Sequence, residues 1–488
     1  MKKGVGRRGF RMPVWAPALF LLLAGPVVAQ NVAIKGGTLI DGTGKPAQNA
    51  VTIVIEGGKI TALGVDAKIP AGAKIVDATG KFIIPGLLDA RVEIGPSPGN
   101  RVDRSEVQIE QRLLSLQAML AAGVTTTRLI QGDFDAQKLY VRWWGEDLLT
   151  SPRMVLSGPV FTAPKGHPVD LYSVAAASAA HRETREVANA DEARDKSREL
   201  AHTGLNVFEA VYDKGPDVSP YPRLDKDALE EMIQEAHGHE LKFFCEVGRA
   251  EEADTAISLG ADAIEGVWDE AIPDATLAEM AKKHVFFVPD LTMQGDLVNL
   301  IQLPDLRDYL SEPIAARTIS EALTKGLEMP GGAVGYTRGM LNKTPSIGDL
   351  FKKQEQRADD NVRRALKAGV PIAVGTGAGN LLVFPGASVH RELELLVKAG
   401  LTPMDAIMAA TRNTAESIGR GTEVGTIEPG KAGDLVILGG DPTADIRNTQ
   451  KIETVVASGR VYAASELDLR SAPATKSAPK GSIIGSQF

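Results

Sequence analysis

Eight short runs of apolar residues, separated by stretches of helical periodicity, constrain the fold of this chain more than any other feature of its sequence. The runs lie at residues 82–88, 124–130, 154–157, 205–210, 242–246, 263–265, 285–288 and 372–375. Helical patterns occupy most of the intervals, at 106–122, 191–203, 226–239, 250–259 and 354–368. Strands that alternate with helices favour a parallel sheet, and eight of them predict an α/β fold of the TIM (β/α)8 barrel type over residues 81–418.

The two ends of the chain carry a different pattern. Short alternating strands, punctuated by turns that contain glycine and proline, fill residues 31–80. Strand patterns return at 435–438, 451–457 and 460–462. The simplest arrangement is a small composite β-sandwich that combines residues 30–80 with residues 419–463.

Two further segments have a distinct composition. Residues 464–488 are rich in Ser, Ala, Pro and Lys, and we expect them to form a disordered tail. The long stretch 295–348 follows the seventh strand, and we expect it to form a lid over the mouth of the barrel.

The first 29 residues have the pattern of a signal peptide. A basic start that contains Arg7 and Arg8 precedes an apolar run at 14–24, and Val27-Val28-Ala29 provides a small-residue cleavage site. The run is shorter than the roughly 20 residues that span a bilayer. We therefore expect export to the periplasm or secretion, by the Sec route or, given the arginine pair, the twin-arginine route. An uncleaved anchor is the alternative.

Charge and cysteine content exclude several classes of partner and crosslink. Removing residues 1–29 takes away five positive charges and no negative ones, which changes the formal net charge from −8 to −13. An acidic surface argues against nucleic acid or an anionic membrane as a partner. Cys245 is the single cysteine, so the chain forms no internal disulfide.

Several motifs recur in an order and spacing typical of one family. They are Gly36-Gly37-Thr38-Leu39-Ile40-Asp41-Gly42, Pro85-Gly86-Leu87-Leu88-Asp89, Gly123-Val124-Thr125-Thr126-Thr127-Arg128, Ala399-Gly400-Leu401-Thr402-Pro403 and Pro429-Gly430-Lys431-Ala432-Gly433-Asp434. Together they resemble the amidohydrolase superfamily, close to its imidazolonepropionase-like and Xaa-Pro dipeptidase-like branch. The resemblance covers nearly all of residues 32–463. It implies hydrolysis of C–N bonds by one or two divalent metals at the C-terminal mouth of the barrel.

The resemblance also implies six positions for metal ligands, and the family's residues are absent from all of them. The family has two histidines on the first strand, a lysine on the fourth, histidines on the fifth and sixth, and an aspartate on the eighth. The matched residues here are Arg91, Glu93, Glu209, Glu246, Gly266 and Gly377. All seven histidines fall elsewhere, and we expect no histidine-based zinc site.

Ligand positions face the mouth, so Arg91, Glu93, Glu209 and Glu246 should converge there. Like charges at 4 Å repel by on the order of 4 kcal/mol at an effective dielectric of 20, so the cluster needs compensation. Three alternatives stay open: an arginine–glutamate network without chemistry, a hard-cation site for Ca²⁺ or Mg²⁺, and a metal-free acid–base pair among Glu93, Glu209 and Glu246.

Other candidate residues are weaker. Strand alternation points Cys245 away from the mouth, which favours a buried thiol over a nucleophile. Asp290 follows the seventh strand, where it either lines the mouth or caps a helix. Trp143 and Trp144 lie in a helical stretch and favour packing over ligand binding.

The sequence therefore predicts an exported amidohydrolase-like protein that lacks metal-dependent hydrolysis. Such a pseudoenzyme would bind a small molecule, or serve as a regulatory subunit in a homo-oligomer or beside a catalytic relative, without a cofactor. The alternatives are an active hydrolase of amide, peptide or cyclic-amide bonds with a remodelled carboxylate site, and a purely structural module.

Overall fold

The structure is a computed structural model that describes residues 31–94, 108–169, 182–215, 220–266, 270–293, 310–319, 345–380 and 382–470, with a few single positions between 320 and 344. The predicted signal peptide, most of the predicted lid and residues 471–488 lie outside this range. No helix within the described ranges is long and apolar enough to cross a membrane.

Strands and helices alternate along the central part of the chain. The strands are β1 Val32–Leu39, β2 Gln48–Glu56, β3 Lys59–Gly64, β4 Lys74–Asp77, β5 Phe82–Pro85, β6 Leu87–Glu93, β7 Val124–Ile130, β8 Arg153–Leu156, β9 Val160–Thr162, β10 Thr184–Glu186, β11 Val207–Val211, β12 Lys242–Val247, β13 Ala263–Gly266, β14 Phe286–Val288, β15 Leu435–Leu438, β16 Ile452–Ala457 and β17 Arg460–Ala463. The helices are α1 Gln108–Ala121, α2 Phe134–Gly145, α3 Ala190–Ala201, α4 Lys226–Gly238, α5 Ala250–Leu259, α6 Asp274–Lys283, α7 Pro313–Thr318, α8 Pro345–Ala368, α9 Ala387–Ala399, α10 Pro403–Met408 and α11 Thr414–Ser417.

The ends of the chain meet in one β-domain. Its sheet has the order β17-β16-β15-β5-β1-β2-β3, and β4 pairs with β1 on the side. The central partnership joins β5 to β15 in antiparallel register, from Leu435 opposite Pro85 to Leu438 opposite Phe82. A separate apolar core, which includes Ile34, Ile53 and Ile437, lies within this domain. The predicted composite β-sandwich is therefore confirmed.

The barrel closes through parallel pairs and a short eighth strand. Strands β6, β7 and β8 form one parallel run, and β11, β12, β13 and β14 form another. Asn206 N donates to Leu156 O at 2.9 Å, which joins the two runs. Residues 371–378 form the eighth strand, because Ala373 N donates to Phe287 O (2.9 Å) and Ala90 N donates to Val374 O (2.8 Å). The predicted TIM barrel is confirmed.

Two strand predictions need correction. The run 82–88 is not one barrel strand, because Phe82–Pro85 belongs to the β-domain and Leu87–Glu93 begins the barrel. The chain changes sheet at Gly86, where a Cβ would lie 2.0 Å from Thr125 Oγ1. Both halves are buried, so one apolar run hides the division. The short strands β9 and β10 extend the barrel sheet beside β11 and were not predicted.

The predicted disordered tail begins too early. Residues Ala464–Leu467 form a 3-10 helix, and the side chains of Leu467 and Leu469 are buried. Leu469 N donates to Arg317 O at 3.1 Å, which ties this segment to α7. The first part of the predicted tail is therefore packed against the barrel.

An apolar layer fills the barrel below its C-terminal mouth. It is formed by inward side chains of successive strands, including Ala90, Val155, Val207, Phe244 and Val288, all 1% exposed or less. In parallel strands, residues two positions apart share a face. The next inward residues toward the C-terminal ends therefore form the floor of the mouth.

Candidate functional site

The next inward layer is charged instead of apolar. We use the term charged layer for the residues that follow the apolar layer on the barrel strands: Arg91, Glu93, Arg128, Ser157, Glu209, Glu246, Glu265 and Asp290. Strand alternation places them there, because Glu209 follows Val207, Glu246 follows Phe244 and Asp290 follows Val288 at a spacing of two.

Arg91 joins the fifth and seventh strands at the centre of this layer. Its Nη2 donates to Glu246 Oε2 at 2.6 Å, and its Nη1 donates to Asp290 Oδ2. Its Nε lies 3.9 Å from Glu265 Oε2. Arg91 is only 3% exposed, and Asp290 is fully buried. The guanidinium group is therefore enclosed by carboxylates and presents almost no surface to solvent.

Arg128, on the neighbouring strand β7, is also paired with carboxylates of the layer. Its Nη2 donates to Glu265 Oε1 at 2.5 Å and lies 3.6 Å from Glu209 Oε2. Its Nε donates to Ala90 O, and its guanidinium carbon lies 3.9 Å from the centre of the Phe244 ring. Arg128 is completely buried, so these contacts fix its position.

Glu93 has a different environment. It is half-buried, and its Oε1 accepts a hydrogen bond from Asn380 Nδ2 at 3.1 Å. Burial raises the pKa of Glu93; Arg91 opposes the rise, Glu246 adds to it, and His167 lowers the pKa slightly. The His167 ring stacks on Tyr221 with 5.2 Å between ring centres. Glu93 is thus the most accessible carboxyl group of the charged layer.

Two glycines occupy positions at which the resemblance implies metal ligands, and they contribute no side chain. Gly266 ends β13 with a φ of 94°, and Gly377 has a φ of 65°. Both values lie in the left-handed region that favours glycine. The inward side chain of the sixth strand is that of Glu265, one residue before Gly266.

Five carboxyl groups and two guanidinium groups share the layer. Burial lowers the pKa of Arg91, but the carboxylates of Glu246, Asp290 and Glu265 outweigh this, so its pKa lies above the ordinary value and the charge is retained. Burial raises the pKa of Glu209 well above the usual range; Arg128 opposes the rise and Glu265 adds to it. Burial likewise raises the pKa of Asp290, against the effect of Arg91. Both shifts favour the protonated form of these two buried carboxyl groups, which reduces the negative charge around Arg91 and Arg128.

Several buried polar atoms of the layer have no hydrogen-bond partner among the described residues. They are Arg91 Nε, Arg128 Nη1, Ser157 Oγ, Glu209 Oε2, Glu265 Oε2 and Asp290 Oδ1. Ser157 is 1% exposed, and its inward direction follows from Val155 two residues earlier. Buried polar groups are normally paired, so the layer has hydrogen-bonding capacity that the surrounding side chains do not use.

The structure brings together most of the residues that the sequence singled out. Arg91 contacts Glu246, while Glu209 reaches Arg128. Of the two roles predicted for Asp290, lining the mouth or capping a helix, the structure shows the first, because Asp290 pairs with Arg91. The analysis missed Arg128 and Glu265 as site residues. Counting by twos from Ala263 along β13 would have identified Glu265.

The remaining candidates lie away from the layer. Cys245 is buried among outward-facing residues of β12, and burial raises its thiol pKa well above the ordinary value. His237 pairs with Asp262 on the outer surface at 3.0 Å. His390 is buried between Ala122 O and Thr449 Oγ1, at 2.9 and 3.0 Å. Trp143 is buried in α2, and the neighbouring Trp144 faces Arg153.

A cavity of about 330 Å³ lies at the outer side of β8. It is lined by Trp144, Arg153, Asn206, Arg420 and other residues near the N-terminal ends of the third and fourth barrel strands. It is remote from the charged layer, and its cations Arg153, Arg420 and Lys138 are already paired with Asp434, Glu423 and Asp135.

Sequence comparison identifies the family to which these features correspond. A sequence model of the amidohydrolase family matches residues 82–462. The imidazolonepropionase of Shouchella clausii (strain KSM-K16) is 23% identical over 430 residues, which are 84% of this chain and 85% of that protein. The imidazolonepropionase of Geobacillus kaustophilus (strain HTA426) is 37% identical over only 122 residues, 23% of this chain and 27% of that protein.

Structure comparison leads to the same architecture. A Xaa-Pro dipeptidase crystallised with methionine in its active site superimposes with a TM-score of 0.69. The match covers 89% of this chain and 100% of that chain at 20% identity. At this identity the likeness establishes the fold alone.

Proposed function

The chain belongs to the amidohydrolase family, and from this premise we propose that it is an exported member without metal-dependent hydrolysis of C–N bonds. In this proposal it binds a small molecule or acts as a regulatory subunit. One observation carries the proposal: the Arg91 guanidinium lies among the side chains that would have to hold a metal, paired with Glu246 and Asp290.

The family implies one or two divalent metals at the mouth, so the donor set has to be tested against them. Borderline metals such as zinc favour imidazole and thiolate ligands, and hard cations favour several oxygen atoms. Here one carboxylate oxygen each of Glu246, Asp290 and Glu265 is paired with a guanidinium group, which competes with a metal for these ligands. Among the described residues, no three His, Cys, Asp or Glu side chains are arranged to hold a metal ion. The residues do not fit the metals.

The position of Arg91 also argues against its acting in place of a metal. A metal activates a carbonyl or water because one coordination position is open. Arg91 is enclosed, and both of its terminal nitrogens already donate to carboxylates. The donors of this guanidinium that are not paired, such as Nε, are buried with the rest of the side chain, so Arg91 presents almost no donor to a substrate carbonyl in the mouth. The alternative of an active hydrolase with a remodelled carboxylate site would require Glu93 to work with Glu246, whose other oxygen is already paired with Arg91.

Elemental analysis of the mature protein tests the proposal. We expect no near-stoichiometric metal after purification without chelator, both in the wild type and in a Glu93→Ala/Glu246→Ala variant. Near-stoichiometric zinc, manganese or iron would refute the proposal and restore a metal-dependent hydrolase. Calcium or magnesium that is lost in the variant would instead support a rebuilt hard-cation site.

Export is the second part of the proposal and rests on residues 1–29. Expression of the full chain with a C-terminal tag, followed by cell fractionation and N-terminal sequencing, tests it. We expect a periplasmic or secreted product that begins at Gln30. A cytoplasmic product that retains Met1 would contradict this part and leave the site argument unchanged.

A further inference from the structure

The charged layer contains more acidic than basic side chains, and both of its arginines already form ion pairs within the layer. Arg91 is shared by Glu246 and Asp290, and Arg128 is shared by Glu265 and Glu209. Glu93 forms no direct ion pair with any described residue; its Oε1 accepts a hydrogen bond from the neutral amide of Asn380. Among the described residues, no cation is therefore paired directly with Glu93 on the side of the layer that faces solvent.

Glu246 extends this accessible acidic edge. Its Oε2 binds Arg91, whereas its Oε1 has no hydrogen bond to a described residue, and the side chain is 11% exposed. The same is true of Glu93 Oε2, because Asn380 contacts only Oε1. Two carboxylate oxygens on the first and fifth strands are thus available to donors that arrive from the mouth.

An independent observation indicates that the layer has hydrogen-bonding capacity that the described residues do not use. The Ser157 hydroxyl is 99% buried and faces inward from the third strand, but no described residue bonds to it. An unpaired buried hydroxyl is unfavourable, and a bound water or ligand normally satisfies it. Asp290 Oδ1 and Glu265 Oε2 are unpaired acceptors in the same layer.

We propose that the mouth binds a small organic cation, with its ammonium or amidinium group between Glu93 and Glu246. This inference rests on the proposed function, because a bound metal would already supply the missing positive charge. An amidinium can donate one N–H to the free oxygen of Glu93 and another to the free oxygen of Glu246, and such charge-assisted hydrogen bonds are roughly twice as strong as neutral ones. The stacked His167 and Tyr221 rings offer an aromatic surface on the same side, which suits a flat organic cation.

The charges also exclude the opposite ligand class. An anion would have to approach Glu93 and Glu246 while both arginines are enclosed by carboxylates. Like charges in such a partly buried site repel strongly, which opposes anion binding. A neutral ligand of the same shape would donate hydrogen bonds to the carboxylates without the ion-pair attraction that a cation adds.

Three probes of nearly identical shape test this inference: benzamidine, benzamide and benzoate. Their binding to the full mature protein is measured by ligand-observed NMR and isothermal titration calorimetry. We expect benzamidine to bind at least tenfold more tightly than benzamide, and benzoate not to bind. Benzoate binding as tight as benzamidine binding, or no benzamidine binding at millimolar concentration, would overturn the inference.

Two variants locate the binding. Glu93→Gln keeps the side-chain shape and an acceptor for Asn380, and we expect at least tenfold weaker benzamidine binding. Glu453→Gln removes a carboxylate that pairs with Lys81 in the β-domain, and we expect no change. Melting temperatures confirm that both variants fold. Unchanged benzamidine binding in Glu93→Gln would place the ligand elsewhere and refute the assignment.

The metal content of the same preparation separates this inference from the proposed function. Stoichiometric zinc, manganese or iron refutes the proposed function whatever the probes do. Metal-free protein that does not bind benzamidine refutes only the proposed cation site. Metal-free protein that binds benzamidine through Glu93 supports both.

Discussion

Replacing Arg91 by glutamine should destabilise the protein by about 3–5 kcal/mol at pH 7. The change removes the only guanidinium that contacts Asp290 and Glu246 among the described residues, and these carboxyl groups are 0% and 9% exposed. Removing one partner of a buried ion pair typically costs about 3–5 kcal/mol, because the other charge stays buried without compensation. Protonation limits the loss, since neutralising an ordinary aspartate or glutamate at pH 7 costs about 4 kcal/mol.

The deficit should depend on pH in a defined direction. Arg91 opposes the rise in the pKa of Asp290, so without Arg91 the pKa of Asp290 in the folded protein lies still further above its unfolded value. A raised folded pKa gives a contribution that is fully present below the unfolded pKa and is lost as pH rises. Wild type and variant lose this contribution together up to the folded pKa of Asp290 in the wild type, so the deficit of Arg91→Gln should grow as pH rises through that pKa, by up to about 1.4 kcal/mol per pH unit.

Urea unfolding followed by circular dichroism at pH 5, 6 and 7 measures this difference. Arg420→Gln is a suitable control, because Arg420 pairs with the exposed Glu423 and such pairs contribute only about 0–1 kcal/mol. The double variant Arg91→Gln/Glu246→Gln should regain part of the loss at pH 7, since one unpaired carboxylate is removed. A deficit below about 1 kcal/mol, or one that does not change with pH, would refute the view that Arg91 neutralises this layer.

Three further predictions concern other parts of the molecule. Burial lowers the pKa of His390 to about 4, so its contribution to stability is present above pH 6.5 and is lost as pH falls. Between pH 7 and pH 5 this contribution changes by about 2 kcal/mol. In urea unfolding, His390→Asn should therefore reduce the pH dependence of the unfolding free energy by that amount. Gly379→Ala should lower the free energy of unfolding by more than about 2 kcal/mol, because φ is 113° and the new Cβ would lie 1.9 Å from Glu93 O. Gly430→Ala is the control, because its φ is 93° but no neighbour lies within 4 Å. Thermal unfolding should show a smaller loss of stability for Gly430→Ala. Cys245 should resist a thiol reagent such as DTNB in the native protein and react after urea is added, because it is fully buried and its pKa is raised.

Much of the fold was predictable because hydrophobic periodicity reports burial directly. Seven of the eight barrel strands coincide with apolar runs, since both faces of a parallel barrel strand are covered. The first strand was placed wrongly because Phe82–Pro85 and Leu87–Glu93 are equally buried, so the sequence contains no polar break between two sheets. Only Gly86, which passes within contact of Thr125, marks the change.

The sequence predicted which residues of four strands belong to the site, but it did not predict which of these side chains form ion pairs with one another. Pairing depends on register, and β6 shows why: its pairing with β7 shifts between Asp89 and Val92. The shift turns Arg91 and Glu93 inward although Leu88 and Ala90 also face inward. No local pattern reveals such an irregularity. Arg128 was missed for a related reason. The sequence shows an arginine in an otherwise apolar strand, but only the folded barrel shows that Glu265 lies opposite it.

The proposed loss of hydrolysis depends on where the guanidinium points and not simply on which residue is present. Arginine can stabilise an oxyanion when its donors are directed at the reacting oxygen. In this barrel the terminal nitrogens of Arg91 are directed at Asp290 and Glu246, and the side chain is 3% exposed. If Arg91 were exposed, the site would favour electrostatic catalysis without a metal. The enclosed one holds the strands together and leaves Glu93 as the carboxylate that meets whatever enters the mouth.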